Sequence, residues 1–201
     1  MSLLISACPR LIGLLQEFYS GDPGLAPFEM MTVTADLMPQ PDRSLLVHDR
    51  DMTSTLTRFH DDELRLDVLD RRLQEDQLAR HIVLRTMSDH RPVEYGAIRI
   101  RLAGLEEEVR EKILAGEQPL GGILNEHRVG YASCPGGFFK IRATDLMADV
   151  LELSEPSWLY GRCNCLSSVD GGNIAEVVEI LPPEHSRAEV SGESCKTTKR
   201  S

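Results

Sequence analysis

The sequence predicts an α+β fold: an antiparallel sheet of about six strands with helices on one face and the other face free to close into a cavity. Three observations predict it. Stretches of two-residue hydrophobic alternation recur along the chain, joined by turn-forming segments. Between them lie segments with helical spacing, bounded by caps and glycines. Two of the alternating stretches also carry one charge on an apolar row. In Gln77 to Leu84, the residues Leu78, Arg80, Ile82 and Leu84 share a face. In Asn173 to Leu181, the shared face is Ala175, Val177, Glu179 and Leu181. A guanidinium keeps its proton, so Arg80 must reach water or meet an anion where it lies. A buried ion pair and water-facing strands both stay open at this point.

Each element follows from local signals. Pro9 to Tyr19 reads as an amphipathic helix with Leu11, Ile12, Leu15 and Phe18 on one side, stopped by Ser20-Gly21-Asp22-Pro23. Gly24 to Arg43 is irregular, with a short strand available at Met31 to Ala35. After Leu45-Leu46-Val47 comes the polar break His48-Asp49-Arg50-Asp51, where Asp51 or Thr53 can cap a helix and leave amides near Met52 facing a ligand. Glu63 to Leu73 is a long strand, Gln77 to Leu84 the next, and Met87 to Pro92 turns into a return strand, Val93 to Leu102, with Ile98, Ile100 and Leu102 inward. Leu105 to Ala115 is a charged helix ended by Gly116, and Gln118-Pro119-Leu120-Gly121 opens a short helix with unbonded amides. Tyr131 to Ile141 is a strand broken by Pro135-Gly136-Gly137, and Thr144 to Leu153 a helix. Trp158 to Val169 and Asn173 to Leu181 form a hairpin across Asp170-Gly171-Gly172. One face of such a sheet is covered by helices; the other can close into a cavity where loops fold over it.

The organisation is therefore a lead-in over residues 1–43, a domain over 44–183 and a polar, disordered tail over 184–201. Net charge is −10, with no basic cluster beyond Lys196, Lys199 and Arg200. That disfavours double-stranded nucleic acid as a partner. Five cysteines, an odd and scattered set, indicate a reducing cytoplasm, with Cys163 and Cys165 in core packing. Ile5-Ser6-Ala7-Cys8 superficially resembles a lipoprotein box but has no positive region before it, and no apolar run reaches membrane-spanning length. The histidines, including His81, lack ligand spacing; no zinc signature, phosphate loop or Ser/His/Asp set is present, so neither metal nor cofactor is expected. Arg99, Arg101 and Arg162 read as solvated strand residues, with a second anion contact as the alternative.

Four features in order resemble the chorismate lyase family, in particular its short, divergent bacterial branch. They are Asp51-Met52-Thr53, Arg80-His81-Ile82-Val83-Leu84, Pro119-Leu120-Gly121 and Val178-Glu179-Ile180-Leu181-Pro182, spanning about residues 45 to 183. The resemblance implies cofactor-free conversion of chorismate to 4-hydroxybenzoate and pyruvate by a carbon–oxygen lyase. It implies that Arg80 grips the ring carboxylate with help from the Leu120 amide. Glu179 would lie at the ring-hydroxyl end, with Met52 as wall. The chemistry agrees: a planar carboxylate matches the two-donor fork of an arginine. Glu179, read in apolar surroundings, is expected to have a raised pKa suited to proton transfer.

The alternative is a non-catalytic binder of aromatic carboxylates, like the ligand-sensing domain of GntR-type regulators, which resembles the same fold. Those regulators carry a DNA-binding winged helix, for which the leading segment here reads as too short and too acidic. No large apolar helix face calls for a partner, so a monomer or weak homo-oligomer is expected.

Overall fold

The computed structural model describes residues 7–19 and 28–183, and the expected tail lies outside them. The order of elements is α1 (Ala7–Tyr19), β1 (Met30–Val33), α2 (Asp42–Leu46), α3 (Met52–His60), β2 (Leu64–Gln74), β3 (Gln77–Thr86) and β4 (Pro92–Arg101). It continues with α4 (Glu107–Ala115), α5 (Leu120–Glu126), β5 (Tyr131–Arg142), α6 (Asp145–Val150), β6 (Trp158–Ser168) and β7 (Asn173–Leu181). All seven strands join one sheet in the order β1-β5-β6-β7-β4-β3-β2, with every neighbouring pair antiparallel. Two three-stranded meanders, β2-β3-β4 and β5-β6-β7, thus meet along β4 and β7. The strand beyond the expected six is β1, which comes from the lead-in and adds to the β5 edge.

Local chemistry sets the ends of these elements. The Ser54 amide donates to Asp51 Oδ1 at 2.7 Å, capping α3. Gly116 ends α4 at φ 73°, a left-handed turn that a Cβ disfavours. The Met147 amide donates to Thr144 Oγ1 at 3.2 Å, capping α6. The strand expected to break at Pro135-Gly136-Gly137 instead runs on to Arg142. The extra residue is absorbed as a bulge in the β5–β6 register between Pro135 and Gly137.

Alternation sends the two rows of side chains into two cores. On one face, Leu11, Leu14 and Leu15 of α1 and Met147 of α6 pack on Ala79, Val83, Tyr95, Phe139, Cys163 and Val178. On the other, Leu46, Met52 and Leu56 of α2 and α3 pack on Ile82, Leu84 and Val93, while Val109, Ile113 and Ile123 of α4 and α5 pack on Leu78, Ile98 and Ile100. The helices from α2 to α5 are the one-sided layer that the sequence predicts, and α1 with α6 closes the opposite face. The cavity therefore lies under the helices, not under loops on the far side. The two apolar clusters on this sheet face flank the cavity, and α3 and α5, which touch each other, stand over it. No helix among the described residues is long and apolar enough to cross a membrane.

Beneath α1 runs a buried polar chain. Tyr19 and Tyr95 share a hydroxyl–hydroxyl bond, His81 Nε2 lies 2.6 Å from the Tyr95 hydroxyl, and Thr144 Oγ1 lies 3.1 Å from that of Tyr19. Phe18 stacks on the His81 ring at 5.2 Å between centroids. His81 is thus a satisfied core histidine. Burial lowers its pKa from 6.5 to about 4, against a smaller opposing pull from Asp70. In the unfolded chain His81 takes up a proton as pH falls below 6.5, while the folded protein resists until about 4, so stability drops across that window. The full effect is about 3 kcal/mol. Melting temperatures measured between neutral and mildly acidic pH should fall in the wild type, and His81→Leu should remove that share of the slope. An unchanged slope in the variant would show that the acid sensitivity lies elsewhere.

Candidate functional site

The cavity is built on three adjacent cross-strand rows. In the first, Leu84 on β3 faces Glu94 on β4. In the second, Ile82, Gly96, Glu179 and Arg162 follow one another across β3, β4, β7 and β6. In the third the series is Arg80, Ile98, Val177 and Asn164. Helices α3 and α5 begin over this floor and bring Asp51, Met52, Thr53, Leu120 and Gly121 to the lining. The cavity has an empty volume, with the open solvent of its mouth included, of about 560 Å³. Met52, Arg80, Leu120 and Glu179, singled out from the sequence on four separate segments, all line it.

Arg80 is 2% exposed, and its Nε and Nη1 have no hydrogen-bond partner. Burial alone lowers its pKa, to about 10, so it stays a cation at neutral pH. A desolvated cation without a counter-ion is unfavourable in the empty protein and favourable to an entering anion. Its planar donor set suits a carboxylate.

The surroundings of Glu179 differ from expectation. They are not apolar. Glu179, 5% exposed, accepts a bond at Oε2 from Nε of Arg162, which is completely buried. The reading of Arg162 as a solvated residue is overturned: alternation places it opposite Cys163, on the inner row beside Asn164. Its remaining donors are spent on backbone. Nη1 donates to the carbonyls of Leu46 and His48 at 3.2 and 3.0 Å, and Nη2 to that of Arg50 at 3.3 Å. Arg162 therefore ties the loop between α2 and α3 to the sheet and sets where Asp51 and Met52 stand. His48 Nδ1 also lies 3.3 Å from Nη1, and burial first, then the Arg162 charge, lowers the His48 pKa.

Arg99 and Arg101 are not at the cavity. Arg99 pairs with Glu17 at 2.5 Å and Glu176 at 3.4 Å, and Arg101 is exposed. The residue that the sequence reading missed is Glu94, 3% exposed and in the cavity lining. Its signal was present: Glu94 has the same parity on β4 as Ile98, Ile100 and Leu102. Its pKa is raised well above the ordinary value, by burial first and then by the Glu179 charge, with Arg162 opposing. Asn164 Nδ2 donates to Ser133 Oγ at 3.0 Å on the third row. No group of three or more His, Cys, Asp or Glu residues able to hold a metal ion occurs among the described residues.

No protein-family model and no curated protein matches the sequence. Solved structures do resemble the fold. PhnF from Mycobacterium smegmatis is 11% identical with a TM-score of 0.52, over 67% of this chain and 64% of that one. The ligand-binding domain of a GntR-family transcriptional regulator from Bordetella bronchiseptica is 13% identical with a TM-score of 0.46, over 60% of this chain and 86% of that one. The C-terminal domain of the histidine utilization repressor from Pseudomonas syringae pv. tomato is 12% identical with a TM-score of 0.42, over 67% of this chain and all of that one. At such identities the likeness defines the fold alone. The chain has the chorismate-lyase-like α+β fold.

The two inner arginines should respond oppositely to mutation. Arg162→Met strands Glu179 and three carbonyls, and should destabilise the protein by about 3–5 kcal/mol. Arg80→Met removes an unpaired buried cation and should leave the ligand-free protein as stable as wild type or more so. Denaturant unfolding of both variants measures this; a large loss in Arg80→Met would mean that Arg80 is already neutralised within the protein.

Proposed function

We propose that this chain binds a small cyclic carboxylate in the cavity through Arg80 and converts chorismate to 4-hydroxybenzoate and pyruvate. The observation that carries the proposal is the buried Arg80 guanidinium, with Nε and Nη1 unpartnered inside a small, mostly apolar cavity. A ring carboxylate supplies the missing charge and both acceptors. The amide of Leu120, at the first position of α5, has no acceptor within its own helix and adds a donor beside it. Leu84, Ile98 and Val177 supply apolar walls for the ring. Met52 lines the space from α3 and Glu179 from β7.

Loss of the enolpyruvyl group aromatises the ring, so the reaction is strongly downhill. The protein has to orient a flexible anion, exclude water and manage protons. The sequence context of Glu179 leaves open whether it removes the ring proton or assists the departing enolpyruvate. Held by its bond from Arg162, Glu179 is given the first of these tasks in this reading.

A second reading has its own support. The solved structures of similar fold include ligand-binding domains of transcriptional regulators, and such a domain recognises its ligand without transforming it. Binding on Arg80 is common to both readings, and turnover separates them. Purified protein mixed with chorismate should release pyruvate and 4-hydroxybenzoate in equal amounts, and Arg80→Ala should lower kcat/KM by at least 10²-fold, the scale of losing a charged hydrogen-bonded anchor. Stabilisation by 4-hydroxybenzoate with no pyruvate release would establish the non-catalytic binder instead. No effect of either compound would remove both readings.

A further inference from the structure

We infer that Glu94 stands in the cavity as an un-ionised carboxylic acid and is the group that gives a proton to the ligand. The inference rests on the lyase reading of the site and adds to it a residue that the four family-like segments do not contain. Its first support is geometric. Glu94 is 3% exposed, lines the cavity, and its Oε2 has no hydrogen-bond partner. A buried carboxyl oxygen with nothing to bond points to a ligand group that completes it.

The second support is a count of charges around the cavity. The charged groups facing Glu94 are Arg80 on β3, Arg162 on β6, Glu179 on β7 and Asp51 at the start of α3. Arg162 is committed to Glu179 and to the carbonyls of Leu46, His48 and Arg50, so none of its nitrogens is aimed at Glu94. No ion pair joins Arg80 to Glu94 among the described residues, and Arg80 Nε and Nη1 are themselves unpartnered. Asp51 spends a carboxylate oxygen on the Ser54 amide and adds negative charge. Two carboxyls on adjacent rows thus share one committed cation, and it is hydrogen-bonded to Glu179. Glu94, buried without a cation of its own, keeps its proton. Burial and the Glu179 charge both push Glu94 in that direction.

The step this permits is balanced. Glu94 gives its proton to the ether oxygen that links the ring to the enolpyruvyl group. The ring carbon–oxygen bond breaks with its electron pair going to that oxygen, which leaves as enolpyruvate. The hydrogen on the neighbouring, hydroxyl-bearing ring carbon departs as a proton to the Glu179 carboxylate, and its bonding pair completes the aromatic ring. Proton return from Glu179 to Glu94 restores the starting state, and enolpyruvate becomes pyruvate by tautomerisation. Arg80 holds the ring carboxylate throughout and transfers nothing.

Three readouts on wild type and Glu94→Gln test this. The infrared spectrum of the ligand-free wild type at neutral pH should contain the carbonyl stretch of a buried carboxylic acid, absent from Glu94→Gln. The variant should bind 4-hydroxybenzoate within a few-fold of wild type, because glutamine keeps the shape and a donor. Its pyruvate release should fall by about 10²- to 10⁴-fold, with loss of the alkaline limb of the kcat profile. A missing carboxylic-acid band, or a band that survives in the variant, overturns the inference whatever the ligand. So does full turnover by Glu94→Gln. Wild type that binds 4-hydroxybenzoate yet releases no pyruvate refutes the lyase reading and takes the donor role with it, even where the band is found.

Discussion

A guanidinium buried without a counter-ion organises this protein. Arg80 and Arg162 project from the same face of the same sheet, and both are nearly or completely out of water. Arg162 is satisfied by a carboxylate and three carbonyls, while Arg80 is left with unbonded nitrogens. Satisfied ionic clusters fix structure; unsatisfied ones create binding energy, because the entering partner recovers what desolvation took away. The division of roles follows from position. Arg162 lies under the loop that leads into α3, whose carbonyls turn down onto it. Arg80 lines the cavity between the two apolar clusters, where its Nε and Nη1 meet no acceptor.

Positioning a ligand to within a fraction of an ångström needs a stiff floor, and the centre of the sheet provides one. β4 and β7 are flanked on both sides by strands and covered on both faces. They approach so closely at Gly96 that a Cβ there would stand 2.0 Å from the Val178 carbonyl oxygen. Glycine is the residue that the geometry admits, and its bare surface sits directly opposite Glu179. Of the two short helices above the cavity, α3 is capped by Asp51, and the loop that leads into it is tied down by Arg162. The rigid floor and the anchored cover together keep the charges at fixed separations, which is what preorganised electrostatics requires.

The strands, the helix caps at Asp51 and Gly116, and the inward rows of Arg80 and Glu179 were legible in the sequence. All of them rest on local rules: alternation, capping and glycine in a left-handed turn. The bulge that lets β5 run through Pro135-Gly136-Gly137 was not legible, because a proline–glycine pair breaks most strands and only pairing with β6 shows that this one continues. Glu94 was legible in parity and missed in meaning. Its row on β4 was visible, but nothing local distinguishes a carboxyl facing a cavity from one at a frayed strand end.

The sequence by itself determined which residues face inward and which chemistry each can perform, since side-chain direction and ionisation range are properties of short segments. Only the tertiary structure decided which charges meet. Arg162 and Glu179 become neighbours because β6 and β7 pair in one register, and a single-residue slip would send both to opposite faces. That pairing takes the cation away from Glu94 and leaves Arg80 without a partner. Cross-strand register and the meeting of α3 and α5 over the cavity are long-range outcomes of packing, and no window of sequence contains them.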